Sequence, residues 1–161
     1  MPRNKESQSC YNPYTPCQCP RPLPIIFKSS AQTTTSLNAG IITQVQFPQV
    51  IIDNVYYSSD LSVYTAPKSG SFSLSAVSSW STALPHTVFT LYIMKNGIMT
   101  NFTTATSAGA VGRYTTMVTG CLPLEKGDVV SVSALATSAV SILGSNPCPR
   151  PLTYFEGKQL C

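Results

Sequence analysis

The chain has 161 residues, of which 43% are hydrophobic and only 10% charged, against about 25% charged in an ordinary soluble domain. That is enough chain for one domain with a packed core, and Ser and Thr fill the polar positions, which suits a β-rich surface protein and suits a cytosolic enzyme poorly. Of the net charge of +4, most comes from Arg3, Lys5, Arg21 and Lys28; beyond them no Lys/Arg stripe exists, so no nucleic-acid partner is expected.

Residues 1–24 carry six of the 13 prolines: Pro2, Pro13, Pro16, Pro20, Pro22 and Pro24. Such a stretch forms neither helix nor central strand and favours extended backbone, so 1–24 is read as an extended arm and 25–161 as the domain. The first residues are polar with no apolar run behind them, which is not the pattern of a secretory signal; synthesis without a signal peptide is expected. No segment reaches the roughly 18 apolar residues of a membrane helix, so no membrane insertion is expected.

The arm holds Cys10, Cys17 and Cys19, and Cys161 is the last residue. A structural zinc site usually spaces its paired cysteines by two to four residues. Cys17-Gln-Cys19 has one intervening residue, and the only histidine, His86, is distant in sequence, so no metal is expected there. Cysteines near chain ends are placed for bonds between subunits, where free backbone can meet disulfide geometry. Cys10, Cys17, Cys19 and Cys161 are therefore the candidate intersubunit disulfides; idle thiols in an arm are the other reading. Pro22-Leu-Pro-Ile-Ile-Phe27 is apolar and either starts the first strand or docks into a groove.

From Ile25 onward the pattern is β, with eight to ten strands expected. Phe72, Leu74 and Ala76 alternate with serines; Phe89, Leu91 and Ile93 alternate with Thr90, Tyr92 and Met94; Val130, Val132 and Ala134 alternate with Ser131 and Ser133. Such alternation puts one face on a core and the other outward. Turn signals separate the runs: Asn38-Ala-Gly40, Pro67-Lys-Ser-Gly70, Asn96-Gly97, Ala108 to Gly112, and Lys126-Gly-Asp128. Asn-Gly between apolar runs is a strong hairpin signal, because a type I′ turn needs positive φ at both central residues. The expected architecture is an all-β, two-sheet antiparallel sandwich.

No chemistry stands out. The six acidic residues form no general acid/base pair, and His86 reads as a loop residue without an identifiable partner. Asp53, Asp60 and Asp128 could bind calcium at loop ends, but turn-capping aspartates are the commoner arrangement. Asn101-Phe-Thr103 fits a glycosylation sequon. Met94, Met99 and Met117, with Tyr92, read either as an outer contact face or as core filling. No catalytic residue and no cofactor are expected.

Five pieces in order carry a resemblance: Phe47-Pro-Gln-Val-Ile-Ile-Asp-Asn54, Tyr64 to Phe72, Phe89 to Gly97, Leu122 to Val130, and Thr153 to Leu160. Over about 26–160 the chain resembles the C1q / tumour-necrosis-factor-like jelly rolls. The family's usual Tyr-Asp-Pro is here Tyr57-Ser-Ser-Asp60, and its closing Phe-Ser-Gly is Phe155-Glu-Gly157. The resemblance implies a non-enzymatic jelly-roll homotrimer whose chain ends emerge together at the base of the head, with a strand along the trimer axis after Gly127-Asp128. It makes Phe72, Tyr92, Met94, Val130, Val132 and Phe155 candidates for the trimer contact or the core. The role expected from this is a structural building block, linked to neighbours through its Cys-bearing arm. The setting would be an endospore surface first and a virion second, with a secreted recognition head as the alternative.

Overall fold

The computed structural model describes residues 26–52, 55–144 and 152–160. Thirteen strands run through them: β1 (Ile26–Ser30), β2 (Thr35–Leu37), β3 (Thr43–Gln44), β4 (Gln49–Ile52), β5 (Tyr57–Ser58), β6 (Val63–Thr65), β7 (Gly70–Thr82), β8 (Val88–Lys95), β9 (Ile98–Ser107), β10 (Gly112–Leu124), β11 (Val129–Ala136), β12 (Val140–Ile142) and β13 (Tyr154–Gln159). The count exceeds the expected eight to ten because β2, β3, β5, β6 and β12 are only two or three residues long. Such lengths are too short to leave a periodic trace in sequence.

All pairings are antiparallel and form two sheets. In one, β10 pairs the full length of β7. The other edge of β7 carries β13 along its first half and β12 near its end; β1 lies beside β13, β2 beside β12, and β4 closes the sheet beyond β1. The second sheet runs β5-β6-β11-β8-β9, with β3 also on β11. Sheets of this length alternate inward and outward side chains. Accordingly Phe72, Leu74, Ala76, Phe89, Leu91, Ile93, Val130, Val132 and Ala134 are all buried between the sheets, as the sequence alternation requires.

Aromatic rings fill the two ends of this layer. Toward the chain-end side, Phe27 stacks on Tyr64 at 4.3 Å and on Tyr57 at 5.5 Å and meets Phe155 edge-on at 4.9 Å. At the far end Trp80 lies between Phe89 and Tyr114, with centroids 5.0 and 5.1 Å away, and its Nε1–H donates to Thr116 Oγ1 at 3.0 Å. Offset ring pairs of this kind add about 0.5–1.5 kcal/mol each beyond their buried area.

The turns take the conformations their residues favour. Asn96 and Gly97 have φ of 52° and 77°, the two positive values of a type I′ hairpin, and Gly127 has φ of 92°. His86 also has positive φ, 59°, in an exposed turn bonded through Thr82, Leu84 and Thr87. The first and last described residues are neighbours: Ile26 pairs with Lys158, two residues before Leu160.

Candidate association face

The Asn96-Gly97 and Lys126-Gly127 turns are clasped together at the base of the sandwich. Asn96 Nδ2 donates to Asp128 Oδ1 at 2.8 Å, and Asn96 Oδ1 accepts from the Val129 N–H at 2.8 Å. Asp128 Oδ2 accepts from the Glu125 N–H at 2.7 Å and pairs with Lys95 Nζ at 2.8 Å. These bonds, with Lys95 first, hold the Asp128 carboxyl down at about 2. Both oxygens of Asp128 are thus committed to the turn, Asp60 is exposed, and Asp53 lies outside the described residues. Among the described residues no group of three or more His, Cys, Asp or Glu could hold a metal ion.

The outer face of the seven-stranded sheet presents a row of small polar side chains, because about one residue in two along β7 is Ser. Ser71, Ser73, Ser75, Ser79 and Ser81 lie in register with Pro123, Cys121, Thr119, Thr115 and Arg113 of β10. On the other side Ser73 and Ser75 adjoin Lys158 and Glu156 of β13. Lys28 Nζ donates to Glu156 Oε2 at 2.7 Å and sits 4.3 Å over the Tyr154 ring. A shallow groove of about 390 Å³ runs here, lined by Ile26, Lys28, Ile52, Ser75, Thr119 and Lys158 among others. The two long strands β9 and β10 form one side of the sandwich, each at the edge of its sheet. The ten residues of β9, Ile98–Ser107, include no charged side chain, and β10 carries only Arg113.

Of the candidates from sequence, Phe72, Val130, Val132 and Phe155 are core residues, all fully buried. Tyr92 and Met94 lie half-buried on the outer face of the six-stranded sheet. Met94 pairs with Met99 there, whereas Met117 is exposed on the seven-stranded sheet, opposite Val77. The methionines therefore do not share one face. Ser131 lies beside Met94 in the middle of the second sheet, on the strand that follows Gly127-Asp128. Cys10, Cys17, Cys19 and Cys161 lie outside the described residues.

Sequence reading missed Cys121, which is exposed on the Ser-rich face and has no disulfide partner among the described residues. Its signal was available: Val118, Leu122 and Leu124 point inward, so the odd positions of β10 point out. It also missed the Tyr64 hydroxyl, which is buried without a hydrogen-bond partner among the described residues; burial pushes its ionisation up, with Tyr56 adding to the effect. No helix among the described residues is long and apolar enough to cross a membrane, which leaves membrane-crossing strands untouched.

No family model matches the chain, and no curated protein matches it in sequence. Solved structures do match. The structure of Eiger TNF from S. frugiperda superposes with a TM-score of 0.63 at 12% identity, covering 86% of this chain and 93% of that one. Murine APRIL superposes with a TM-score of 0.60 at 15% identity, covering 85% and 99%. The chain therefore has a TNF/C1q-like jelly-roll fold, as the five sequence pieces implied.

Proposed function

We propose that the protein is a non-enzymatic structural subunit, a trimeric C1q-like building block of a surface assembly. Neighbours are linked through the Cys-bearing arm at Cys10, Cys17 and Cys19. The observation that carries this is the pair of long edges, β9 and β10, left almost without charge on one side of the sandwich. Proteins that stay single blunt such edges with Lys or Pro; here Pro123 and Arg113 alone interrupt the two edges, and a long edge of small and apolar residues beside a small-residue sheet face is suited to packing edge against face. An edge-to-face contact is heterologous, and it closes as a ring when the rotation allows; three copies is the number typical of this fold. The fold also supports the linking role, since Ile26 and Leu160 lie together at the base. The arm and Cys161 would leave the head from one point, toward the next unit. An endospore layer or appendage is the setting we favour, with a virion component next.

The test is mass in solution by light scattering after size exclusion, with and without reductant, for wild type and for the Cys10, Cys17 and Cys19→Ser triple variant. Large species that fall to smaller ones on reduction, and are absent in the triple variant, support a covalently linked building block. Reductant-resistant polymers in the triple variant would remove the arm cysteines as the link. Discrete trimers under every condition favour the second reading, a secreted recognition head. Leu84 and Val111, exposed in loops at the end away from the arm, would be its contact tips.

A further inference from the structure

The clasp at the base of the sandwich converges on one residue, Asn96. Its Nδ2 donates to Asp128 Oδ1 and its Oδ1 accepts from the Val129 N–H, both at 2.8 Å. Its own backbone N–H donates to the Val129 carbonyl at 2.8 Å. Yet Asn96 is exposed to water, and exposed Gly97 follows it. Asn is one of the thermolabile residues, because its Cγ is open to attack by the backbone nitrogen of the next residue. Glycine in the next place exposes that nitrogen most, having no Cβ to shield it. The surroundings add no shield either, since a Cβ built on Gly97 would meet nothing within 4 Å. What restrains the amide is the clasp, which directs the Asn96 side chain across to residues 128 and 129 of the β10–β11 turn instead of back toward Gly97.

We propose that Asn96 is a self-modification site, held latent by the clasp, with water as its co-reactant. When both side-chain bonds open, the Gly97 nitrogen attacks Asn96 Cγ. The N–Cγ bond forms, the Cγ–Nδ2 bond breaks, and Nδ2 leaves as ammonia, taking up the Gly97 proton. Water then opens the cyclic imide on one side of its nitrogen or the other, leaving aspartate or its β-linked isomer. The net change is amide and water to carboxylic acid and ammonia, with nothing oxidised or reduced. For the fold the step runs one way. The product has lost the Nδ2 donor and sets a carboxylate against Asp128 Oδ1, and two carboxylates at that distance repel. The β-linked product also lengthens the backbone between residues 96 and 97 by one carbon, which a two-residue type I′ turn cannot hold in register. Either product frees the tip of the β8–β9 hairpin from the β10–β11 turn, at the start of the long β9 edge. Asp128 is thus the guard of Asn96 as well as a brace of its own turn.

The experiment follows Asn96 by peptide-mapping mass spectrometry, with enzymatic methylation of β-linked aspartate as a second readout, during prolonged warm incubation at neutral pH. Folded wild type is expected to keep Asn96 over a period in which wild type in urea converts it. Asp128→Ala, with its β circular dichroism intact, is expected to convert at least about tenfold faster than folded wild type, the factor that about 1.4 kcal/mol of lost holding free energy gives. Exposed Asn38, which precedes Ala39, should react equally slowly in both. Equal Asn96 rates in folded wild type and folded Asp128→Ala, or an Asn96 that stays intact in urea, overturn the inference. Should Asp128→Ala lose its β circular dichroism, Asp128→Asn takes its place; it keeps an acceptor without the charge, so a smaller increase is expected and no increase overturns the inference. The release of the turn is read separately. Asn96→Asp is expected to lower Tm, and Asn96→Asp combined with Asp128→Asn, in which donor and acceptor exchange places, to recover most of that loss. A Tm for Asn96→Asp equal to wild type would refute the one-way step.

Discussion

Gly157 sits where β13 passes between Phe27 of β1 and Leu74 of β7, and it explains the closing Phe155-Glu-Gly157 piece of the sequence. A Cβ on Gly157 would lie 2.5 Å from Phe27 Cε1 and 2.7 Å from Leu74 Cδ2, about 1 Å closer than ordinary carbon contacts at 3.5–4.0 Å. The Phe27 ring cannot swing aside, because Tyr57 and Tyr64 stack on it and Phe155 meets it edge-on. Inserting a methyl into such a core costs about 1–3 kcal/mol, offset in part by the 0.5–1 kcal/mol that a strand gains, very roughly, when Gly becomes Ala. Gly157→Ala is therefore expected to lose about 1–2 kcal/mol, a fall in Tm of about 4–8 °C for a domain of this size. Thermal unfolding followed by circular dichroism under reductant reads it. The cause is checked by repeating the substitution in Phe27→Leu, where the smaller side chain should cut the added loss by at least about 0.5 kcal/mol. An unchanged or higher Tm for Gly157→Ala, or the same loss in both backgrounds, would refute the reasoning.

Gly127→Val should lose about 1–2 kcal/mol by chemical denaturation, since nothing crowds the site but its φ of 92° excludes a β-branched residue; an unchanged denaturation midpoint would remove the turn assignment. Tyr64→Phe should raise stability by about 1 kcal/mol, because it deletes a buried hydroxyl that has no partner among the described residues; a lower Tm would mean that the hydroxyl is bonded through water. The Asp128 carboxyl is held low in the folded state, so its contribution is present above the ordinary carboxylate range and is lost as pH falls from about 4 toward 2. The Tm gap between wild type and Asp128→Asn should therefore shrink over that window, and parallel Tm curves would contradict it. Ser75→Arg, at the centre of the Ser-rich face, should leave the fold intact by circular dichroism while reducing trimers to monomers; trimers of unchanged mass would move the trimer contact elsewhere.

The parts of the fold that were legible in the sequence are those that depend on local period and local turn chemistry. Alternation over Phe72–Ala76, Phe89–Ile93 and Val130–Ala134 placed nine core side chains correctly, and Asn96-Gly97 announced its own backbone. Contacts between distant strands left no such trace. Trp80 finds Phe89, Tyr114 and Thr116 only because β7, β8 and β10 converge. The methionines were grouped by residue type, and the sheets separate Met94 and Met99 from Met117. Most instructive is β4: an uninterrupted Val-Ile-Ile run reads as a covered strand, yet among the described residues it lies exposed at the sheet's rim, and the register shift against β1 left no mark in the sequence.

If the proposed linkage through the arm holds, the pairing of Ile26 with Lys158 has a mechanical meaning. Tension applied at Ile26 along the strand would enter β1 along its own axis. β1 is gripped on both sides, by five residue pairs with β13 and three with β4. Pulling in that direction loads both ladders at once, in shear, and no single bond can be peeled first. A head tethered from the opposite tip would instead unzip one bond at a time. A jelly roll tethered there would be held at the point where its backbone resists tearing.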